Sequence, residues 1–90
     1  SSAASDVYKR QVVTVLEVLE HIPDTPSAVH NAVRLARNYV IVSVPSKPDD
    51  NPEHIHLFSA TDLERHFIDA GCRKVKFMSV TGHHVMIAYI

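Results

Sequence analysis

A chain of 90 residues with 46% hydrophobic content can enclose one small core and no more. Nine Lys and Arg against ten Asp and Glu leave a formal charge of −1, and the longest basic group is Arg73, Lys74 and Lys76, which excludes a strongly basic nucleic-acid module. The single cysteine, Cys72, rules out an internal disulfide framework, and no apolar run approaches the roughly 18 residues of a membrane span, so the expectation is a cytoplasmic protein with Cys72 as a small packing residue.

Residues 1–11 (SSAASDVYKRQ) are small, polar and aperiodic, and are expected to be a non-native or disordered leader, with the folded domain over 12–90. Residues 12–18 (VVTVLEV) are apolar on both faces, the pattern of a strand in the middle of a parallel sheet. Pro23-Asp24-Thr25-Pro26 stops the chain and restarts it, because Asp24 or Thr25 can cap a helix and Pro26 suits its first turn. Val29, Ala32, Val33 and Ala36 recur at helical spacing, which predicts a helix over 26–37. A second apolar run, YVIVSV at 39–44, closes at Pro45 and completes a β-α-β unit, which makes parallel neighbours through a right-handed crossover. The polar loop 46–58 is long for a compact domain and is therefore a candidate site.

Ser59 and Asp62 form a capping pair, Leu63, Phe67 and Ala70 supply an apolar stripe, and Gly71 stands where a left-handed cap belongs, so 60–70 is predicted helical. Two β-rich runs, 74–80 and 83–90, meet at Thr81-Gly82 as a hairpin. The order is β-α-β-α-β-β, an α/β fold whose last strand is antiparallel.

Glu17, Glu20 and His21 stand at i, i+3 and i+4, one face of a helical turn leaving the carboxyl end of a parallel strand, where open α/β sheets bind ligands. Two carboxylates and an imidazole suit a divalent cation such as magnesium or manganese. They equally suit a metal-free rim, with Glu17 touching substrate or cofactor and Glu20 and His21 capping the next helix. His54 and His56 are the loop histidines. His30 and His66 are expected on solvated helix faces, and His83 and His84 in structural positions.

Three segments, VVTVLEVLEHIPD at 12–24, VIVSVPS at 40–46 followed by HIHLFSATDLERHFIDAGC at 54–72, and the closing hairpin, together resemble class I S-adenosylmethionine-dependent methyltransferases. The nearest forms are quinone-biosynthesis O-methyltransferases and small-RNA 2′-O-methyltransferases. The resemblance implies the C-terminal half of a Rossmann-like methyltransferase sheet and S-adenosylmethionine as cofactor. It assigns cofactor contacts to the Leu16 backbone and to Glu17, and, from the RNA-methylating relatives, a cation held by Glu17, Glu20, His21 and His56. The departures are two: the family's glycine-rich turn after its first strand and the acid ending its second have no counterpart, since the only glycines are Gly71 and Gly82. The implied function is methyl transfer to a small-molecule or other acceptor, in a chain that lacks most of the cofactor pocket. A catalytically inactive, methyltransferase-like interaction subunit is one alternative, and an RNA 2′-O-methyltransferase, which the charge does not support, is another.

Overall fold

In the computed structural model, residues 10–48 and 50–90 are described. Strand β1 (Arg10–Leu16) passes through a single 3-10 turn (Leu19–His21) into helix α1 (Thr25–Leu35), followed by β2 (Ala36–Pro45), α2 (Ala60–Asp69), β3 (Lys74–Val80) and β4 (His83–Tyr89). The sheet order is β1-β2-β4-β3, with β1 and β2 parallel and β4 antiparallel to both its neighbours. The predicted element order and the antiparallel last strand are therefore present.

Register decides which face each side chain takes, because successive residues of a strand alternate. Val13, Val40, Ala88 and Val75 form one cross-sheet row, and Val15, Val42, Met86 and Phe77 the next. Val40, Val42, Met86 and Ala88 have no exposed surface, and they share one core with Val29 and Ala32 of α1 and Leu63 and Phe67 of α2. Both helices thus cover the same face, as two right-handed crossovers made in the same direction require. Phe67 and Leu63 are fully buried, a gain of about 1.5–3 kcal/mol each.

The opposite face carries the rows Leu16, Ser43, Val85, Met78 and Thr14, Ile41, Ile87, Lys76. Among the described residues no helix packs on it. Leu16 is 53% exposed and Met78 42%, and Val12 and Tyr39 on the same face are also exposed.

The helix ends follow their sequence signals. Asp24 caps α1 by accepting from the Ser27 backbone N–H and hydroxyl, at 3.2 and 2.8 Å, and Pro26 sits in the first turn. Ser59 caps α2 through the Asp62 N–H at 3.1 Å. After α2, Gly71 (φ +107) lets its own N–H reach the Ile68 carbonyl and the Cys72 N–H reach the Phe67 carbonyl, the paired bonds of a Schellman motif.

Several boundaries differ from expectation. β1 begins at Arg10, so two residues assigned to the leader are strand: Arg10 pairs with Ala36, and the Asn38 amide donates to Gln11 Oε1 at 3.4 Å. The rest of the leader, 1–9, lies outside the described residues. The same strand has the apolar faces of a mid-sheet strand, and among the described residues β2 is its one neighbour. It ends at Leu16 rather than at 18 because Glu17 turns to φ +55. Finally, α1 stops at Leu35 and β2 starts at once, since Ala36 is extended and buried against the core.

Candidate active-site rim

The carboxyl ends of β1 and β2 open onto the turn 17–21 on one side and the loop 46–58 on the other. Glu17, with φ +55, occupies the left-handed region, which an ordinary L-residue enters at a cost of about 1–2 kcal/mol. Its backbone N–H continues the ladder to the Ser43 carbonyl at 2.9 Å. Its carboxylate is held by two side chains, with Ser43 Oγ donating to Oε2 at 2.9 Å and His83 Nδ1 lying 3.1 Å from Oε1. The bend turns Glu17 toward β4 and away from the face that a continuous helical turn would have given it.

Glu20 faces the other way. It is 1% exposed, and its Oε1 has no hydrogen-bond partner among the described residues. Its neighbour His21 points Nε2 toward Oε2 at 3.8 Å. The loop is fastened over this turn by four hydrogen bonds. The backbone N–H groups of Ile55 and His56 donate to the Glu20 carbonyl at 2.9 and 3.2 Å, His21 Nδ1 donates to the Glu53 carbonyl at 2.9 Å, and His56 Nε2 donates to the Ile22 carbonyl at 2.9 Å. His54 then stacks edge-on against His21, with 4.7 Å between ring centres. Phe58 anchors the far end of the loop, 5.5 Å from the His56 ring and 5.9 Å from that of His66 on α2.

Of the four residues the resemblance assigns to a cation, the fold brings Glu20 and His21 together and turns Glu17 and His56 to other partners. Among the described residues, the one group of three potential ligands with donor atoms within 4.8 Å of one another is Glu20, His21 and His54. Glu17 and His56 lie outside that group. Ser43 and His83 were missed as members of the rim. The signal for His83 lay in the hairpin: an antiparallel last strand must begin at the edge where β1 and β2 end, and the register does set His83 opposite Pro45.

Beside His54 lies an open cleft of about 200 Å³, lined by Pro45, Lys47, Pro48, His54, Leu57 and their neighbours. The described glycines, Gly71 and Gly82, sit at a helix end and in the β3–β4 turn, so neither forms a strand-to-helix phosphate or cofactor cradle. No helix among the described residues is long and apolar enough to cross a membrane.

No family model matches the chain, and no curated protein sequence matches it. Solved structures do. An O-methyltransferase family protein from Burkholderia thailandensis superposes with a TM-score of 0.76 at 15% identity, over 99% of this chain and 32% of its own. A putative O-methyltransferase from Nostoc punctiforme gives 0.71 at 16% identity, over 91% and 32%. Magnesium protoporphyrin IX methyltransferase from Synechocystis, with bound SAH, gives 0.67 at 16% identity, over 90% and 45%. At these identities the likeness is one of fold: the chain has the fold of the C-terminal part of a class I methyltransferase domain. It spans between about a third and a half of the length of the structures it matches.

Proposed function

We propose that this chain forms the back of an S-adenosylmethionine-dependent methyltransferase domain acting on an oxygen of a small-molecule acceptor. The observation that carries the reading is the superposition of 99% of the chain on an O-methyltransferase, supported by the SAM- and SAH-bound Synechocystis structures among the matches. The cofactor supplies the methyl group, and the rest of the domain must supply most of its pocket. What this chain contributes is the rim: the backbone at Leu16 and the held carboxylate of Glu17 toward the cofactor, and the cleft between Pro45 and Leu57 toward the acceptor.

Methyl transfer is a displacement in which alignment dominates, so a rim of pinned groups suits it better than a mobile one. The Glu17 carboxylate, fixed from two sides by Ser43 and His83, is pre-set in that sense. The test is transfer from radiolabelled S-adenosylmethionine to a panel of phenols and carboxylic acids by the polypeptide carrying this segment with its upstream residues. Label recovered in an O-methyl product supports the reading. Cofactor binding with no transfer to any acceptor overturns it in favour of a non-catalytic interaction subunit, which the apolar open face of the sheet would also suit.

A further inference from the structure

We propose that Glu20, His21 and His54 form a binding site for one divalent transition-metal ion of the zinc type. This set differs from the one the resemblance implies in its donors and in the ion it selects, and it stands independently of methyl transfer.

Three observations converge on it. The donor atoms of the three residues already lie within 4.8 Å of one another, with His21 Nε2 and Glu20 Oε2 at 3.8 Å. A tetrahedral zinc with bonds of about 2.0–2.1 Å sets its ligands about 3.3 Å apart, so side-chain rotation of about an ångström completes the chelate. Next, Glu20 is 1% exposed and its Oε1 lacks any donor among the described residues. A buried carboxylate in that state demands a counter-charge, which an ion between it and the two imidazoles supplies.

The third observation is the tautomer. Because a carbonyl oxygen only accepts, His21 Nδ1, 2.9 Å from the Glu53 carbonyl, must carry the proton. Nε2 is thus the nitrogen left for an ion, and it is turned toward Glu20 Oε2 at 3.8 Å. A ligating histidine is oriented in this way, its far nitrogen donating to a backbone carbonyl. That carbonyl belongs to the residue before His54, so the same bond places both histidines. Two further bonds, from the Ile55 and His56 N–H groups to the Glu20 carbonyl, fix the loop on the turn.

The donor chemistry chooses the ion. Two imidazoles and one carboxylate favour zinc, cobalt or a similar first-row ion, whereas magnesium prefers oxygen donors and retained water. Three protein ligands leave a fourth position open to water or to an acceptor atom in the adjoining cleft, which His54 also lines.

The experiment is titration of the 90-residue chain with zinc by calorimetry, and with cobalt by visible absorption, without any methyl donor. One ion per chain is expected, with the strong visible bands of four-coordinate cobalt and no displacement by millimolar magnesium. Glu20→Gln, His21→Ala and His54→Ala should each weaken zinc at least about tenfold. Glu17→Gln, and His56→Gln, which keeps an N–H for the Ile22 carbonyl, should change it by less than about threefold. Circular dichroism of each variant separates lost ligation from lost folding, and His54, half-buried in the loop, is the variant least able to unfold the core. Binding unchanged in His54→Ala, binding abolished by His56→Gln or Glu17→Gln, or a chain that takes no zinc at all would each overturn the proposal. So would binding that survives the Glu20→Gln/His54→Ala pair, since the ion would then sit on other histidines.

Discussion

His83 Nδ1 lies 3.1 Å from Glu17 Oε1, so the first residue of the last strand grips the carboxylate that follows the first strand. With Ser43 holding the other oxygen, three strands meet at Glu17, whose backbone is left-handed. The pair is nearly half exposed, so its charge contributes little on its own, and the backbone strain outweighs it.

That balance is testable by removing the side chain in two ways. Glu17→Ala and Glu17→Gly both lose the Ser43 and His83 contacts, but only alanine still pays for φ +55. The glycine variant is expected to be more stable than the alanine variant by about 1 kcal/mol, or roughly 4–8 °C in midpoint for a domain of this size. Equal midpoints would mean that the turn relaxes once the carboxylate is gone.

The open sheet face predicts association. Leu16 and Met78 lie at opposite ends of one cross-sheet row, on the outer strands β1 and β3, and are each more than 40% exposed. Light scattering of the 90-residue chain should show concentration-dependent self-association. Leu16→Lys with Met78→Lys should suppress it without unfolding the domain, because the core lies on the other face. A monodisperse monomer at high concentration would contradict this.

The helix caps carry a pH signature. Side-chain and then backbone hydrogen bonds from Ser27 hold the Asp24 carboxyl below its ordinary 3.8, so the ionised form is favoured by folding. Stability from this cap is present above pH 3.8 and is lost as pH falls through the lower folded value. The midpoint difference between wild type and Asp24→Ala should therefore be fullest near pH 6 and should shrink toward pH 2–3. Ser59→Ala, a neutral cap, should cost about 1 kcal/mol at either pH. A gap for Asp24 that did not narrow in acid would remove the carboxylate from the explanation.

Much of this was legible because it is local. The capping pairs, Gly71 after α2 and the Thr81-Gly82 turn depend on residues a few positions apart, and each is found where the spacing puts it. The β-α-β order follows from apolar runs and chirality. What the sequence could not carry is the direction in which Glu17 turns, since the i, i+3, i+4 spacing assumes a regular helical turn and the chain makes a left-handed step there instead. The choice between His54 and His56 was equally hidden, because two histidines separated by one residue in a loop differ only in what the folded loop bonds to. His56 is drawn to the Ile22 carbonyl, and the His54 ring packs edge-on against that of His21.

The final prediction concerns the cofactor. A class I methyltransferase grips S-adenosylmethionine chiefly through a glycine turn after one strand and an acid at the end of another, and the glycines of this chain are committed elsewhere. Gly71 closes α2 with φ +107, and Gly82 makes the two-residue turn between Val80 and His83 with φ +78. On the proposed reading Leu16 and Glu17 line one side of a pocket, and a rim with one wall buries little of a ligand and leaves most of its polar groups to water. Calorimetric titration of the 90-residue chain with S-adenosylmethionine should therefore give a Kd weaker than about 1 mM, which corresponds to about −4 kcal/mol. Glu17→Gln should scarcely alter so weak a signal, whereas in a polypeptide that includes the residues upstream the same substitution should weaken binding measurably. Submillimolar binding by the chain alone would mean that the rim is itself a sufficient cofactor site, and would place the recognition of the sulfonium in the turn 16–21 rather than in the glycine-rich part of the fold.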